Sequence, residues 1–591
     1  MAESTTTSKL PRSSSSYGGQ SSPSAALEAI GARPRLSQRR PTKPASYELA
    51  NHAKAYLEGG KVASGFEFLY SLLAAGTSIS TPAQPYIGFL APPAYIAFAS
   101  SVVVDPLYTT QALSSDARNG ADAALRYLQC VQTTIDDPVY PTIRQAFKFP
   151  EERRRRRGPG FRSEANSLSP GEPGGDIEQL AGPSANEKSL WRNAEDFWHI
   201  TGWAFNCSIT HKKRWDRWKI WMGIMLDFLE ADWEACIKES TDAADPVATA
   251  QKCLVWSYIV GDTEAVNRST RRRIVKAILA TASPESQKDY PEIWQQETYA
   301  VRQKAQKDGP VGKIDFETGD IGDYASDDEM QDILEAPDYE DELLMSNTSA
   351  YGESIRNVVD ACERLGGQDA IELRQRLITL LAQVALALPA QFTTLSDFFD
   401  NILEDVIQLP IFMFYILITT MTVPGRVKVA FLANLLLPLV SGSVPDYFRF
   451  EPAPDHLETK LLLFKASTQS FAANTKISLI LEQIFIYTMD CDTLTPTKKL
   501  RKAMEDGIKA RESVYGTGKG KKGNAEEEMQ AKELMEASSN RLLGLLEMLE
   551  MSPRKQTRLG IAKRQKGEAP ATASFSSGSS LSSAPKSETD V

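Results

Sequence analysis

From Tyr47 onward the apolar residues recur at steps of three and four, the spacing of one face of a helix, and the chain reads as a succession of helices. YELANHAKAYLEGGKVASGFEFLYSLLAAG (47–76) predicts two helices divided at Gly59–Gly60. DARNGADAALRYLQCVQTTI (116–135) predicts another, with Ala121, Ala124, Leu125, Leu128 and Val131 on one stripe. PVATAQKCLVWSYIVGD (246–262) and STRRRIVKAILATA (269–282) are helices opened or closed by Asp245-Pro246 and Ser283-Pro284. From Ile355 to Met489 apolar helical segments follow one another with short Pro or Gly breaks. A basic amphipathic helix (497–516) and a last helix (525–551), striped by Leu542, Leu545, Leu546 and Leu549, complete the pattern.

Two stretches are apolar enough to raise the question of a membrane. Residues 68–104 carry no charge, but Pro82, Pro85, Pro92 and Pro93 interrupt them, and no clean span of about 20 apolar residues survives. Leu409–Val423 is only 15 residues long and holds Pro410, Thr419, Thr420 and Thr422. Both read as buried helices, because central helices of a stack are apolar all round. The expected fold class is all-α: an irregular helical-repeat body, either a HEAT-like solenoid or a helical bundle, with long disordered tails and inserts. The solenoid reading rests on helix-pair spacing alone, since no sequence repeat is visible.

The organising stretch is Trp191–Trp233, which holds seven of the chain's nine tryptophans. Two helices are expected there, Leu190–Ser208 and about His211–Lys238. In the second, Trp215, Trp218, Met222, Met225, Leu229 and Trp233 form one stripe flanked by Trp221 and Phe228. Its charges run Lys212, Lys213, Arg214, Arg217 and Lys219 first, then Asp227, Glu230, Asp232 and Glu234. That order opposes the helix dipole, which favours acids first. Three readings fit: tryptophans packed in a core with arginines stacked on the rings, a protein-binding hot spot, or a nucleic-acid contact with basic side chains on phosphates and rings on bases. The expected partner-binding residues are Lys212, Lys213, Arg214, Trp215, Arg217, Trp218 and Lys219, because a charge order set against the dipole points to a partner.

Composition divides the chain further. Ser, Pro, Gly and charge accumulate at both ends and at two internal places, where too little apolar surface exists to offset ordering entropy. The expected organisation is a disordered tail (1–45), a helical N-terminal part (46–149), a disordered Arg-rich linker (150–185), the Trp-rich helical part (186–305) and a disordered acidic insert (306–352). An apolar helical part (353–515), the amphipathic helix at 525–551 and a disordered basic, Ser-rich tail (552–591) follow. A net charge of −10 does not suggest a dedicated nucleic-acid binder, but local blocks of both signs do the opposite of average out. Arg153, Arg154, Arg155, Arg156 and Arg157 form one basic run, read either as an import or phosphate-contacting patch or as a solvated run. Arg554, Lys555, Lys563 and Arg564 belong to a pair of clusters with the spacing of a bipartite import signal. Ser326 before Asp-Asp-Glu fits an acid-directed kinase; Thr495 and Ser552, each followed by Pro-x-Lys, fit proline-directed kinases.

Catalytic and metal chemistry finds little foothold. The six cysteines form no CxxC pair and only four histidines are present, so no metal is expected; no cofactor is expected either. The acidic insert lacks the register of a calcium loop, and the glycine-lysine linker TGKGKKGN (517–524) lacks the phosphate-loop spacing. His199 near Asp196 and Glu195, and His211 near Cys207 and Ser208, are close only in sequence, whereas triads assemble from distant positions. The expectation is a non-enzymatic nuclear scaffold or adaptor in a chromatin or genome-maintenance complex, contacting other proteins, with nucleic acid as a second class of partner and no small-molecule substrate. A peripheral membrane or trafficking adaptor, resting on the two uncharged stretches, is the alternative.

Overall fold

The computed structural model describes residues 39–81, 83–136, 140–150, 179–261, 266–299, 355–450, 453–491, 493–516 and 525–551. Within them the chain is all-α apart from one two-stranded ribbon, in which β1 (Thr42–Pro44) lies parallel to β2 (Gly88–Leu90). Arg153–Arg157, Arg554, Lys555, Lys563, Arg564, Ser326 and Ser552 lie outside the described residues.

The first layer is α1 (Tyr47–Glu58), α2 (Val62–Ala74), α3 (Pro93–Val104) and α4 (Ser115–Thr134). Val62, Phe66, Leu69 and Leu73 form the buried stripe of α2. It packs on α4, whose Gly120, Ala121 and Ala124 keep the contact face small. A Cβ at Gly120 would stand 3.2 Å from the Val62 side chain, so this approach needs glycine or a shift of Val62. Ser114 starts α4 as its N-cap, accepting from the Ala117 N–H at 3.1 Å. The uncharged run 68–104 folds back on itself as the end of α2, the strand β2 and the 12-residue α3, which is buried almost throughout.

Residue 45 is not the start of order. Residues 39–45 belong to the body, and Arg40, from the basic cluster expected in the tail, is 2% exposed. Its guanidinium donates to Ala75 O at 2.9 Å, Tyr86 O at 3.2 Å and Leu73 O, so it terminates α2.

The second layer runs through α5 (Tyr140–Ala146), α6 (Leu190–Asn193), α7 (Phe197–Thr210), α8 (Lys212–Asp242), α9 (Pro246–Ala250), α10 (Leu254–Val260), α11 (Arg268–Ile278) and α12 (Pro284–Asp289). The helix expected over 190–208 is broken in two because Ala194 is extended and Asp196 caps α7, accepting from the His199 N–H at 2.7 Å. The 31 residues of α8 span about 46 Å. This helix packs against α3, α4, α7, α9, α10 and, across the molecule, α14, so the middle of the fold is a bundle around one helix rather than a row of equal repeats. Gly202 on α7 lets the Tyr290 ring lie against the helix; a Cβ there would fall 2.3 Å from that ring.

The third layer comprises α13 (Val358–Arg364), α14 (Gln368–Ala387), α15 (Leu395–Val406), α16 (Ile411–Thr419), α17 (Gly425–Leu436), α18 (Phe471–Asp490), α19 (Lys498–Glu512) and α20 (Ala525–Met551). The most apolar stretch becomes the nine-residue α16, whose Ile411, Phe414, Leu417 and Ile418 are buried. Pro410 and Thr420 bound it. Among the described residues no helix is long and apolar enough to cross a membrane. Buried residues from Ala53 to Leu546 form one contiguous core.

Candidate interaction surface

The tryptophan stripe of α8 faces inward as its spacing predicts: Trp215, Trp218, Trp221, Met222, Met225, Leu229 and Trp233 are all buried. Trp218 meets Trp221 edge-on at 5.7 Å and stacks on Trp294 at 6.2 Å. Of the three readings of this stretch, the packed core is the one its geometry matches.

The seven expected contact residues are divided by this arrangement. Arg214, Trp215 and Trp218 are buried and cannot meet a partner on the surface. Arg214 forms an ion pair with Glu297 in which both side chains are nearly solvent-free, 2% and 0% exposed. Its Nη2 also donates to Val104 O at 2.7 Å and its Nη1 to Thr109 Oγ1 at 3.2 Å, while the guanidinium lies 5.6 Å from the Trp218 ring and 5.9 Å from that of Trp294. Burial raises the Glu297 carboxyl; Arg214 and the Ile293 and Trp294 N–H groups oppose that rise. Nothing in the local sequence around Glu297 marks it as this partner.

Lys212 and Lys213 are exposed at the start of α8, and Lys212 Nζ reaches Ser208 O. Arg217 and Lys219 are half-buried and engaged: Arg217 pairs with Asp122 of α4 at 2.8 Å and Lys219 with Asp369 of α14 at 3.0 Å. The acidic half of the helix is engaged too. Arg376 of α14 bridges Asp227 at 2.6 Å and Glu230 at 2.7 Å, and Arg144 of α5 meets Asp232 at 2.7 Å. For Arg214, Arg217, Lys219, Asp227, Glu230 and Asp232 the charge order that opposes the dipole is thus matched by opposite charges elsewhere in the same chain. Dipole terms of about 0.3–1 kcal/mol give way to it. The inference from that order to an external partner is corrected accordingly, and the exposed basic edge shrinks to Lys212 and Lys213.

The histidines are held by backbone. His199 Nδ1 accepts from the Glu195 N–H at 3.0 Å, which leaves Nε2 as the donor to Pro291 O at 2.9 Å; burial lowers its pKa and favours this neutral tautomer. Ser208 Oγ donates to Phe205 O at 2.6 Å rather than to His211, and burial raises the Cys207 thiol well above its ordinary value. Among the described residues no group of three His, Cys, Asp or Glu could hold a metal ion.

One open cavity of about 370 Å³ lies beside α7, α10 and α11, lined among others by Lys148, Phe149, Asp196, Tyr258, Thr270 and Arg273. Arg273 is already satisfied there, with Asp196 at 2.5 Å and Glu195 at 3.1 Å. Thr495 is exposed in the extended segment leading into α19, where Thr497 caps the helix and accepts from the Leu500 N–H at 2.9 Å. Apolar side chains are exposed around the ribbon: Ile79, Tyr86, Ile87 and Phe89. No family model, no curated protein and no solved structure matches the chain.

Proposed function

We propose that the protein is a non-enzymatic scaffold or adaptor that works in the nucleus, within a multi-subunit assembly of the chromatin or genome-maintenance kind. The observation that carries the reading is the start of α8, where Lys212 and Lys213 stand exposed on the first turn of a helix that Arg214, in that same turn, locks inside the body through Glu297. A pair of cations on so rigid a mount meets an acidic protein segment, or phosphates, without first having to be ordered. The nuclear part of the proposal rests on the sequence clusters Arg153–Arg157 and Arg554, Lys555, Lys563 and Arg564. Phosphorylation would act at Ser326, Thr495 and Ser552; Thr495 supports it by its exposure.

The test is affinity purification of the intact chain with mass spectrometry of its partners, beside a Lys212→Glu/Lys213→Glu variant. A set of nuclear partners reduced at least several-fold by the variant supports the proposal; an unchanged set removes α8 from it. The second reading, a peripheral membrane adaptor, is favoured by the exposed Ile79, Tyr86, Ile87 and Phe89. Carbonate-resistant pelleting on cell fractionation would select it over the nuclear one.

A further inference from the structure

Cys236 sits on the last third of α8 and Cys253 caps the start of α10, 17 positions later; both are buried and both are free thiols. Asp232, one turn before Cys236 on α8, accepts from the Leu254 N–H at 2.7 Å, which seats the start of α10, and Cys253 with it, against that stretch of α8. A third group completes the arrangement: Arg144 Nη2 lies 2.9 Å from Cys236 Sγ, while its Nε holds Asp232 at 2.7 Å. Arg144, whose side chain is 21% exposed, lies directly against the buried sulfur. None of the other described cysteines has this combination of a thiol partner and a guanidinium.

We propose that Cys236 and Cys253 are a redox-modification site, oxidised by a peroxide to an intramolecular disulfide that staples α10 to α8. The two thiols divide the work. The Arg144 guanidinium touches Cys236 Sγ and not Cys253, so Cys236 is the nucleophile; the neighbouring Cys253 thiol and Arg144 hold Cys236 below the ordinary thiol value against burial and Asp232, while burial keeps Cys253 protonated. The Cys236 thiolate attacks one peroxide oxygen: an S–O bond forms, the O–O bond breaks, and the departing hydroxide takes up a proton to leave as water. Cys253 sulfur then displaces hydroxide from the sulfenic acid. The S–S bond forms, the S–O bond breaks, and the Cys253 proton leaves with the hydroxide as a second water. Two thiols and one peroxide become one disulfide and two waters. Since the bond closes the segment that contains the end of α8 and α9, the oxidised chain is the more constrained one.

The experiment exposes the full-length protein to hydrogen peroxide, blocks remaining thiols with an alkylating reagent after denaturation, and maps the unreduced digest by mass spectrometry. The expected result is a peptide pair joined through Cys236 and Cys253, lighter by two hydrogens than the two thiol peptides and separated again by dithiothreitol. Oxidised protein should also melt higher than reduced protein. The exposed Cys491 is the control for peroxide reaching the chain. If Cys491 is oxidised while Cys236 and Cys253 are both recovered as alkylated thiols, the proposal fails. It fails equally if Cys236 accumulates as sulfinic acid without a cross-link, or pairs with another cysteine. A Cys253→Ser variant adds a further readout, since the Cys236 sulfenic acid should then persist and be trapped by dimedone; should that variant not fold, the map of the unaltered chain decides alone.

Discussion

Buried cations at the ends of helices recur through this fold. Arg40 closes α2, Arg214 closes α3 at Val104 O, and Arg374 closes α11 by donating to Ala280 O at 2.9 Å and to Ile278 O. Arg511 holds Leu462 O and Phe464 O, each at 3.0 Å, and Lys476 holds Ile407 O and Leu409 O just past α15 at 2.7 and 2.9 Å. The last carbonyls of a helix have no partner within it, and a buried helix end cannot use water, so a neighbour's cation supplies the donors and meets the negative end of the dipole. Arg374 lacks a carboxylate altogether; it sits 4.0 Å from the Phe205 ring, and burial lowers its pKa to about 9. Arg214→Met should therefore lose about 3–5 kcal/mol, chiefly because Glu297 is left charged and buried. Combining it with Glu297→Gln should cost clearly less than the two single changes added together, as chemical denaturation of the four proteins would show. A second prediction concerns Asp105, whose carboxyl burial pushes up to about 6; one of its oxygens is buried without a partner. Its folded pKa exceeds its ordinary value of 3.8, so the native state binds the extra proton and stability from this group falls as pH rises between 3.8 and about 6. Melting of Asp105→Asn against the parent across that window should show the parent losing ground toward pH 7; parallel curves would show that Asp105 does not titrate there.

At the scale of the element, α8 explains itself through its neighbours. Its stripe buries tryptophans, its flanks carry cations early and anions late, and helices α4, α5 and α14 bring the opposite charges to them. Lys212 and Lys213 lie outside this network of ion pairs between helices. Lys212→Glu/Lys213→Glu is thus expected to melt within about 0.5 kcal/mol of the parent, as surface changes away from such features do. Adding Arg214→Glu to the same pair should abolish cooperative unfolding. Far-UV dichroism during heating separates the two outcomes, and it also shows why a basic cluster read as a single edge would mislead: Arg214 faces the core while Lys213, one residue earlier, faces solvent.

At the scale of the whole molecule, the core is contiguous from the first layer to the last, while every tryptophan lies between Trp191 and Trp294. Tryptophan emission therefore reports the middle layer and dichroism all three. If α14, through Arg376 on Asp227 and Glu230, couples the third layer to α8, both signals should change in one coincident transition with denaturant. Loss of dichroism ahead of the red shift would mean that a tryptophan-free layer, the first or the third, unfolds ahead of the middle one. Replacing Arg376 by Leu should pull the two transitions apart.

The local pattern along the chain was enough to determine the class of fold, the existence of most long helices and the inward face of α8, because helical periodicity and the punctuation of Pro, Gly and capping residues act over a few positions. It was enough, too, to argue that 68–104 and 409–423 pack as interrupted buried helices. Three-dimensional proximity decided the rest. That Arg40 belongs to the core, that Glu297 neutralises Arg214, that Asp227 and Glu230 answer Arg376 and that Arg144 meets Cys236 are contacts between residues 33 to 149 positions apart. A charge in sequence has a sign and a place along its helix. Whether it is an exposed handle, as Lys213 is, or the keystone of a buried pair, as Arg214 is, depends on which helix folds against it.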